Sequence, residues 1–206
     1  MNTKYKVVIA GVEYGHEDIR SASIERPLFD TLSIGNACEG EMKIVFRPKE
    51  DIPRMAEIIP YVDVGNGWEQ LGVFYTDQRT LASYGIVTLL AYDSMLKADT
   101  VWKPDQDLTF PMTMPNAVSV IANLMGVTVD SRTVLNSAYS IDYPANDYTL
   151  RDVLKYIAAA HGGNWMITRN NQLLLIPLNG ATPAETNYLI TEDGNAITFG
   201  GVRILV

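Results

Sequence analysis

The chain has 206 residues, of which 47% are hydrophobic and 19% charged, and its net charge is −8. Such a composition is typical of a folded protein that can bury a core without disulfides or metals. The acidic excess argues against a protein that binds DNA phosphates or an anionic membrane surface, because Lys and Arg side chains provide the attraction in both kinds of binding.

Export and membrane insertion find no support in the sequence. The single cysteine, Cys38, cannot form an internal disulfide, which favours synthesis inside the cell. The apolar run at residues 7–10 is too short for the core of a signal peptide. No run approaches the roughly 18 apolar residues of a membrane span.

Residues 1–104 have the character of β-structure. Strands are predicted in chain order at residues 6–10, 41–47, 61–64, 68–76 and 84–92. In the second of these, Met42, Ile44 and Phe46 alternate with mostly polar neighbours, as in a half-buried strand. A Gly-Asn-Gly turn at residues 65–67 predicts a hairpin, and residues 78–83 are expected to link the last two strands.

Two short helices are predicted within this half. The first covers residues 54–58, with Asp51 as its N-cap, Pro53 in its first turn and Pro60 closing it. The second begins after Asp93, which is expected to act as its N-cap rather than in catalysis.

The last predicted strand is apolar on both faces. One face of this strand carries Ile86, Thr88, Leu90 and Tyr92, and the other face carries Val87, Leu89 and Ala91. A strand of this kind is expected to be covered on both sides. We therefore predict Val87, Leu89 and Ala91 as a subunit interface.

Helices and strands alternate after residue 104. Pro115 stands near the start of an apolar helix that Gly126 ends, and a short strand is expected around residues 127–129. A second helix begins at the N-cap Thr149, with Asp152 completing a capping box. Its apolar stripe consists of Leu150, Val153, Leu154, Ile157 and Ala158. A hairpin with arms at 165–167 and 173–176 follows, then a linker at 180–186 and a β segment at 187–206.

Residues able to carry catalysis are few and isolated. His16, Glu17 and Asp18 are adjacent, so their side chains diverge and do not predict a metal site. His161 falls in the last turn of the second helix, where the helix dipole favours a cation. A Cys38–His161 nucleophile pair stays open, although no local signature supports it. We predict no enzyme, no metal and no cofactor.

The aromatic residues allow a rival interpretation. Tyr75, Tyr84, Tyr92 and Trp68 all fall on predicted strands, where they could form a platform that stacks on sugars. Packing in a core or an interface is the commoner use of such residues. A carbohydrate-binding module that contacts a host cell surface is therefore kept as an alternative.

Two stretches carry a family resemblance. Residues 68–76 and 86–93, WEQLGVFYT and IVTLLAYD, resemble the W-x-x-x-G-x-F hairpin of phage and prophage tail-tip (baseplate) hub proteins. Residues 148–165 resemble a helix–glycine–hairpin segment further along the same family. They begin with Tyr148-Thr149-Leu150-Arg151-Asp152 and end with Gly162-Gly163-Asn164-Trp165.

This resemblance implies an α+β fold and a structural role. It implies an antiparallel β-barrel-like domain at 1–104, a small α/β domain with two helices and a hairpin at 105–186, and at 187–206 the start of a second barrel or a strand returning to the first. The implied protein is made in the bacterial cytoplasm and forms a homotrimeric ring at the virion's tail tip. Its partners would be the tail tube and distal tail proteins, with DNA passing unbound and no membrane contact. The non-catalytic part of a tail-associated cell-wall hydrolase is a further alternative.

Overall fold

The computed structural model describes residues 3–28, 33–81, 83–103, 108–144 and 146–178, together with two short strands at 198–199 and 202–203. An antiparallel sheet comes first, and a smaller group of helices and strands follows it. Within these ranges, no helix has the length and apolar character needed to cross a membrane.

Eight strands form the first sheet. They are β1 (Lys4–Ile9), β2 (Val12–Tyr14), β3 (Ile19–Glu25), β4 (Glu41–Phe46), β5 (Glu57–Asp63), β6 (Trp68–Gln70), β7 (Phe74–Leu81) and β8 (Val87–Asp93). The order across the sheet is β2-β1-β5-β7-β8-β4-β3, with β6 paired to β5. The sheet curls into a nearly closed antiparallel barrel, which confirms the predicted fold class.

The barrel core follows from the alternation of the strands. Met42, Ile44 and Phe46 of β4 are fully buried, as their period of two predicts. The rings of Tyr14 and Phe46 meet edge to face with their centroids 4.9 Å apart, a favourable arrangement for buried aromatics. The hairpin turn at residues 65–67 is also confirmed, and Asp63 Oδ1 accepts hydrogen bonds from the backbone N–H groups of Gly65 and Gly67.

The predicted helix at residues 54–58 is wrong. Met55 lies in a turn with φ 53, and Glu57–Asp63 forms β5, with Ile58 fully buried. A helix of five residues is marginal by itself because its nucleation is costly. In the barrel, β5 instead pairs with β1 on one side and with β6 and β7 on the other, which satisfies its backbone groups.

The strand predicted at residues 68–76 is interrupted. It consists of β6 and the start of β7, separated at Gly72, where φ is 155 and a Cβ would lie 2.8 Å from a ring carbon of Phe74. The expected link at 78–83 is largely strand, because β7 continues to Leu81 through a bulge between Thr76 and Gln78. The β7–β8 hairpin is therefore longer than its apolar pattern indicates.

Seven elements form the second group. They are β9 (Met112–Thr113), α1 (Met114–Met125), β10 (Thr128–Val129), β11 (Ser140–Ile141), α2 (Leu150–Ala160), β12 (Gly163–Ile167) and β13 (Gln172–Pro177). A three-stranded sheet has the order β10-β13-β12, with β10 parallel to β13 and β12 antiparallel to it. β9 and β11 form a separate two-stranded ladder.

Both helices begin where the sequence predicts, and α1 ends at the predicted glycine. α2 ends at Ala160, so His161, predicted in its last turn, is instead its C-cap. Gly126 ends α1 in a left-handed conformation with φ 70. Thr149 caps α2, and its side chain and that of Asp152 form the reciprocal capping box. The predicted apolar stripe of α2 is buried against the β12–β13 hairpin, and Trp165 Nε1 donates to the Leu154 carbonyl at 2.8 Å.

The buried apolar residues form two clusters, one inside the barrel and one in the second group. The second cluster also takes in Ala37, Met95, Ala98 and Trp102 from the first 104 residues. Met95 and Ala98 belong to a 3-10 helix, Ser94–Asp99. The division at residue 104 stays a prediction, and an unfolding experiment in the Discussion tests it.

The region 187–206 is described only in part. Thr198–Phe199 pairs with Val202–Arg203 as an antiparallel ladder. The rest of the predicted β segment, and the linker expected at 180–186, lie outside the described residues.

Candidate functional site

The residues predicted as a subunit interface lie inside the barrel. Val87, Leu89 and Ala91 are 1%, 0% and 0% exposed and belong to the barrel core. A second subunit cannot contact these side chains, so the predicted interface at these three residues is wrong. The outward face of β8 carries Thr88, Leu90 and Tyr92, all half-buried. Both faces are apolar in the sequence, and only closure of the barrel decides which one is inside.

The adjacent residues His16, Glu17 and Asp18 form a solvated turn. Asp18 pairs with Lys49 at 2.6 Å, and this hydrogen bond is the main reason that the pKa of Asp18 is lowered. Across the described part of the chain, no three His, Cys, Asp or Glu side chains converge on a possible metal position.

His161 lies at the C-terminal end of α2, where backbone groups surround its ring. The His161 Nε2 atom accepts a hydrogen bond from the Asn136 backbone N–H at 2.9 Å, since an amide nitrogen can only donate. The ring proton is then assigned to Nδ1, which donates to the Ile157 carbonyl at 2.8 Å. Both nitrogens of the ring are therefore engaged by backbone groups.

The four aromatic residues proposed for sugar binding do not form one platform. Tyr75 and Tyr92 are cross-strand neighbours on β7 and β8, and Lys97 Nζ lies 3.9 Å from the Tyr75 ring centroid. Tyr84 is at the end of the β7–β8 hairpin. Trp68 is on β6, with Lys6 Nζ 4.8 Å from its ring centroid.

A buried carboxylate joins the barrel to the second cluster. Asp93, at the end of β8, accepts hydrogen bonds from the backbone N–H groups of Met95 at 2.9 Å and Gly40 at 2.7 Å. The first of these bonds confirms the predicted N-cap. Burial raises the pKa of Asp93 from 3.8 to about 7, against the lowering effect of both hydrogen bonds and of the nearby Arg26 charge.

Stability should consequently fall as the pH rises toward neutrality. Between about pH 4 and pH 7 the folded protein holds a proton on Asp93 that the unfolded chain has lost. The stabilisation that this proton gives the folded state is complete below pH 3.8, the pKa of Asp93 in the unfolded chain. It is lost as the pH rises through about 7, the pKa of Asp93 in the folded protein. Urea unfolding from pH 5 to pH 8 should therefore show a downward trend in the free energy of unfolding that Asp93→Asn flattens. Asp77→Asn, at an exposed position, is the control, and parallel curves for wild type and Asp93→Asn would refute the expectation.

The main polar feature that the sequence did not predict is centred on Arg151 of α2. Its side chain is only 13% exposed, and its guanidinium group pairs with Asp99 through Nε and Nη2, at 2.5 and 2.9 Å, and with Glu39 at 2.6 Å. It also donates to the carbonyls of Ala37 and Met95. A cation in the first turn of a helix opposes the helix dipole. That unfavourable position was a signal that acidic partners were needed.

A second unpredicted contact holds the loop between β3 and β4 against β12. The fully buried Asn164 accepts from the Asn36 N–H at 2.9 Å and donates to the Ser33 carbonyl at 3.0 Å. Next to it, Trp165 N–H donates to the Asn36 carbonyl at 2.8 Å. Gly35 packs so closely on α2 that a Cβ would lie 3.1 Å from that of Ala159. These contacts and those of Arg151 tie the barrel to the second group.

Comparison with known proteins gives a common fold. No protein-family model and no curated protein matches the chain. It is similar to the 43 kDa tail protein of prophage MuSo2 from Shewanella oneidensis (TM-score 0.61, 13% identity), to a tail protein from Neisseria meningitidis MC58 (0.60, 14%) and to a prophage tail protein from Listeria monocytogenes EGD-e (0.54, 12%). The alignments cover 86%, 85% and 92% of this chain and 56%, 50% and 55% of those chains. The chain therefore spans about half the length of the structures it matches.

Proposed function

We propose that this chain is a structural, non-catalytic component of a phage or prophage tail. The observation that carries the proposal is the fold shared with three tail proteins over at least 85% of this chain. The histidines support a role without catalysis. Both ring nitrogens of His161 are hydrogen-bonded to backbone groups, His16 lies in an exposed turn, and no three His, Cys, Asp or Glu side chains of the described ranges are grouped as metal ligands.

Within the tail, we place the chain in the hub ring of the tail tip. The motif at residues 68–93, which resembles those of hub proteins, forms β6, β7 and β8, the central part of the barrel wall. The ring would be a homotrimer that contacts the tail tube and the distal tail proteins. A net charge of −8 suits a ring that lets DNA pass without holding it, because few cations are available to neutralise phosphates.

The solution mass of the protein tests the ring. Sedimentation velocity over a wide concentration range should show a species of three times the 22.8 kDa chain mass. A homotrimer is expected because the hub proteins that residues 68–93 resemble form trimeric rings, which close by rotational symmetry. A strict monomer at every concentration would contradict the trimer, and a dimer would require a different symmetry.

Carbohydrate binding is the second candidate because one cleft has suitable chemistry. The cleft, of about 560 Å³, is lined by the part-exposed rings of Trp68 and Tyr5, 44% and 45% exposed, with Glu13 and His16 beside them.

A structural subunit should show no saturable binding when it is titrated with cell-wall polysaccharide. Saturable binding that Trp68→Ala abolishes, while Tyr84→Ala leaves it intact, would favour the adhesion function instead.

A further inference from the structure

The β7–β8 hairpin ends in an exposed apolar tip. β5 pairs with β7 only at Phe74 and Tyr75, so the later part of β7 extends beyond β5 and is exposed. We call Leu81 and Tyr84, which are 71% and 91% exposed, the hairpin tip. Tyr84 has φ 63, a left-handed conformation that bulky side chains rarely adopt. Gly85, the next residue, has φ 71, so two successive residues take the left-handed conformation that a tight hairpin turn requires.

An apolar slot lies where the barrel fails to close. Its volume is about 320 Å³, and it separates β1 from β3, which are not hydrogen-bonded to each other. The residues that line it include Tyr5, Val7, Ala22, Ile24, Val62 and Leu71. We call this feature the seam slot.

The tip and the slot lie on opposite sides of the barrel. The tip belongs to β7 and β8, in the middle of the strand order, whereas the slot lies between β1 and β3, near the two ends of that order. One molecule therefore cannot fill its own slot with its own tip, whereas two molecules arranged head to tail can.

The charges of the two surfaces also match. Residues 80–88, which include the hairpin tip, carry no acidic or basic side chain. The one charged residue at the slot, Lys6, is already paired with Glu13 at 2.7 Å. Docking the tip in the slot would therefore bury apolar surface without stripping water from an unpaired charge.

We propose that the hairpin tip of one copy docks in the seam slot of a second copy of this chain. The contact joins two different surfaces, so it is heterologous and closes into a ring when the rotation between copies allows it. The inference rests on the proposed ring function and identifies two surfaces through which the subunits meet.

Complementation between two variants tests this contact on the intact chain. Tyr84→Asp should disable the tip and leave the slot intact. Ala22→Asp, at an exposed position of β3 that lines the slot, should block the slot and leave the tip intact. Each variant alone should associate at least tenfold more weakly than the wild type. A mixture of the two should form a heterodimer, because one intact tip and one intact slot remain. Tyr143→Asp, which changes an 81% exposed tyrosine elsewhere, is the matched control.

A crosslink separates failure of the contact from failure of the ring. In a Cys38→Ser background, Tyr84→Cys and Ala22→Cys on separate copies should form a disulfide between copies under oxidation. A wild type that is monomeric yet crosslinks would support the contact and count against a stable ring. A wild-type oligomer that neither variant weakens would overturn the contact and leave the ring in place. Absence of both the crosslink and the heterodimer would overturn the inference as well.

Discussion

Replacing Arg151 with methionine should lower the free energy of unfolding by about 2–4 kcal/mol. The substitution keeps most of the apolar stem but removes the donors that reach Asp99, Glu39 and two carbonyls. Loss of the donors to the carbonyls of Ala37 and Met95 is the costly part. The two carboxylates matter less, because Asp99 and Glu39 are 52% and 34% exposed and water can solvate them.

Urea unfolding followed by tryptophan fluorescence would measure this loss, since Trp102 and Trp165 are both buried in the second cluster. Arg151→Lys should recover only part of it, because an ammonium group cannot reproduce the planar fork of donors. Arg20→Met, at an exposed position, controls for the loss of a positive charge. A loss below about 1 kcal/mol for Arg151→Met, the size of an exposed pair, would show that the cluster contributes little.

Replacing Leu154 with alanine should cost about 2–5 kcal/mol, the range for a core leucine that leaves a cavity. Leu154 is fully buried between α2 and the β12–β13 hairpin. The Trp165 hydrogen bond goes to its backbone carbonyl, so the substitution removes packing and not that bond. Thr149→Ala, which removes only the N-cap, should cost about 1 kcal/mol. Tyr156→Ala, on the exposed side of the same helix, is the packing control.

The same variant tests the division into domains. If the second group is a separate folding unit, Leu154→Ala should lower its thermal transition and leave that of the barrel unchanged. Hydrogen exchange of peptides from β4 and β8, compared with peptides from α2 and β12, provides one probe for each part. A single transition that shifts as a whole would mean that the two parts unfold together. Asn164, Arg151 and Asp93, which bridge them, would then be the physical cause.

Several elements could be predicted because their causes are local. The start of α2 at Thr149 needs only the reciprocal bonds with Asp152, and the end of α1 needs only the freedom of Gly126 to adopt a positive φ. The cap at Asp93 is likewise formed with a residue two positions away. The alternation of Met42, Ile44 and Phe46 predicts β4 because side chains on a strand point to alternate sides. The fold class follows from adding such local signals.

What the sequence could not determine depends on contacts between distant residues. Residues 57–58 are strand because β1 and β7 lie on either side of them, and Val87, Leu89 and Ala91 are core because the sheet curls toward that face. Arg151 meets Glu39 and Asp99, which are 112 and 52 positions away, and Asn164 meets Ser33 across 131 positions. The sequence by itself therefore determined which segments form strands and helices wherever the stabilising bonds are short-range. Only the tertiary structure decided which faces are inside, how the barrel is tied to the second group and which apolar surfaces stay exposed, because those outcomes depend on how the chain closes in space.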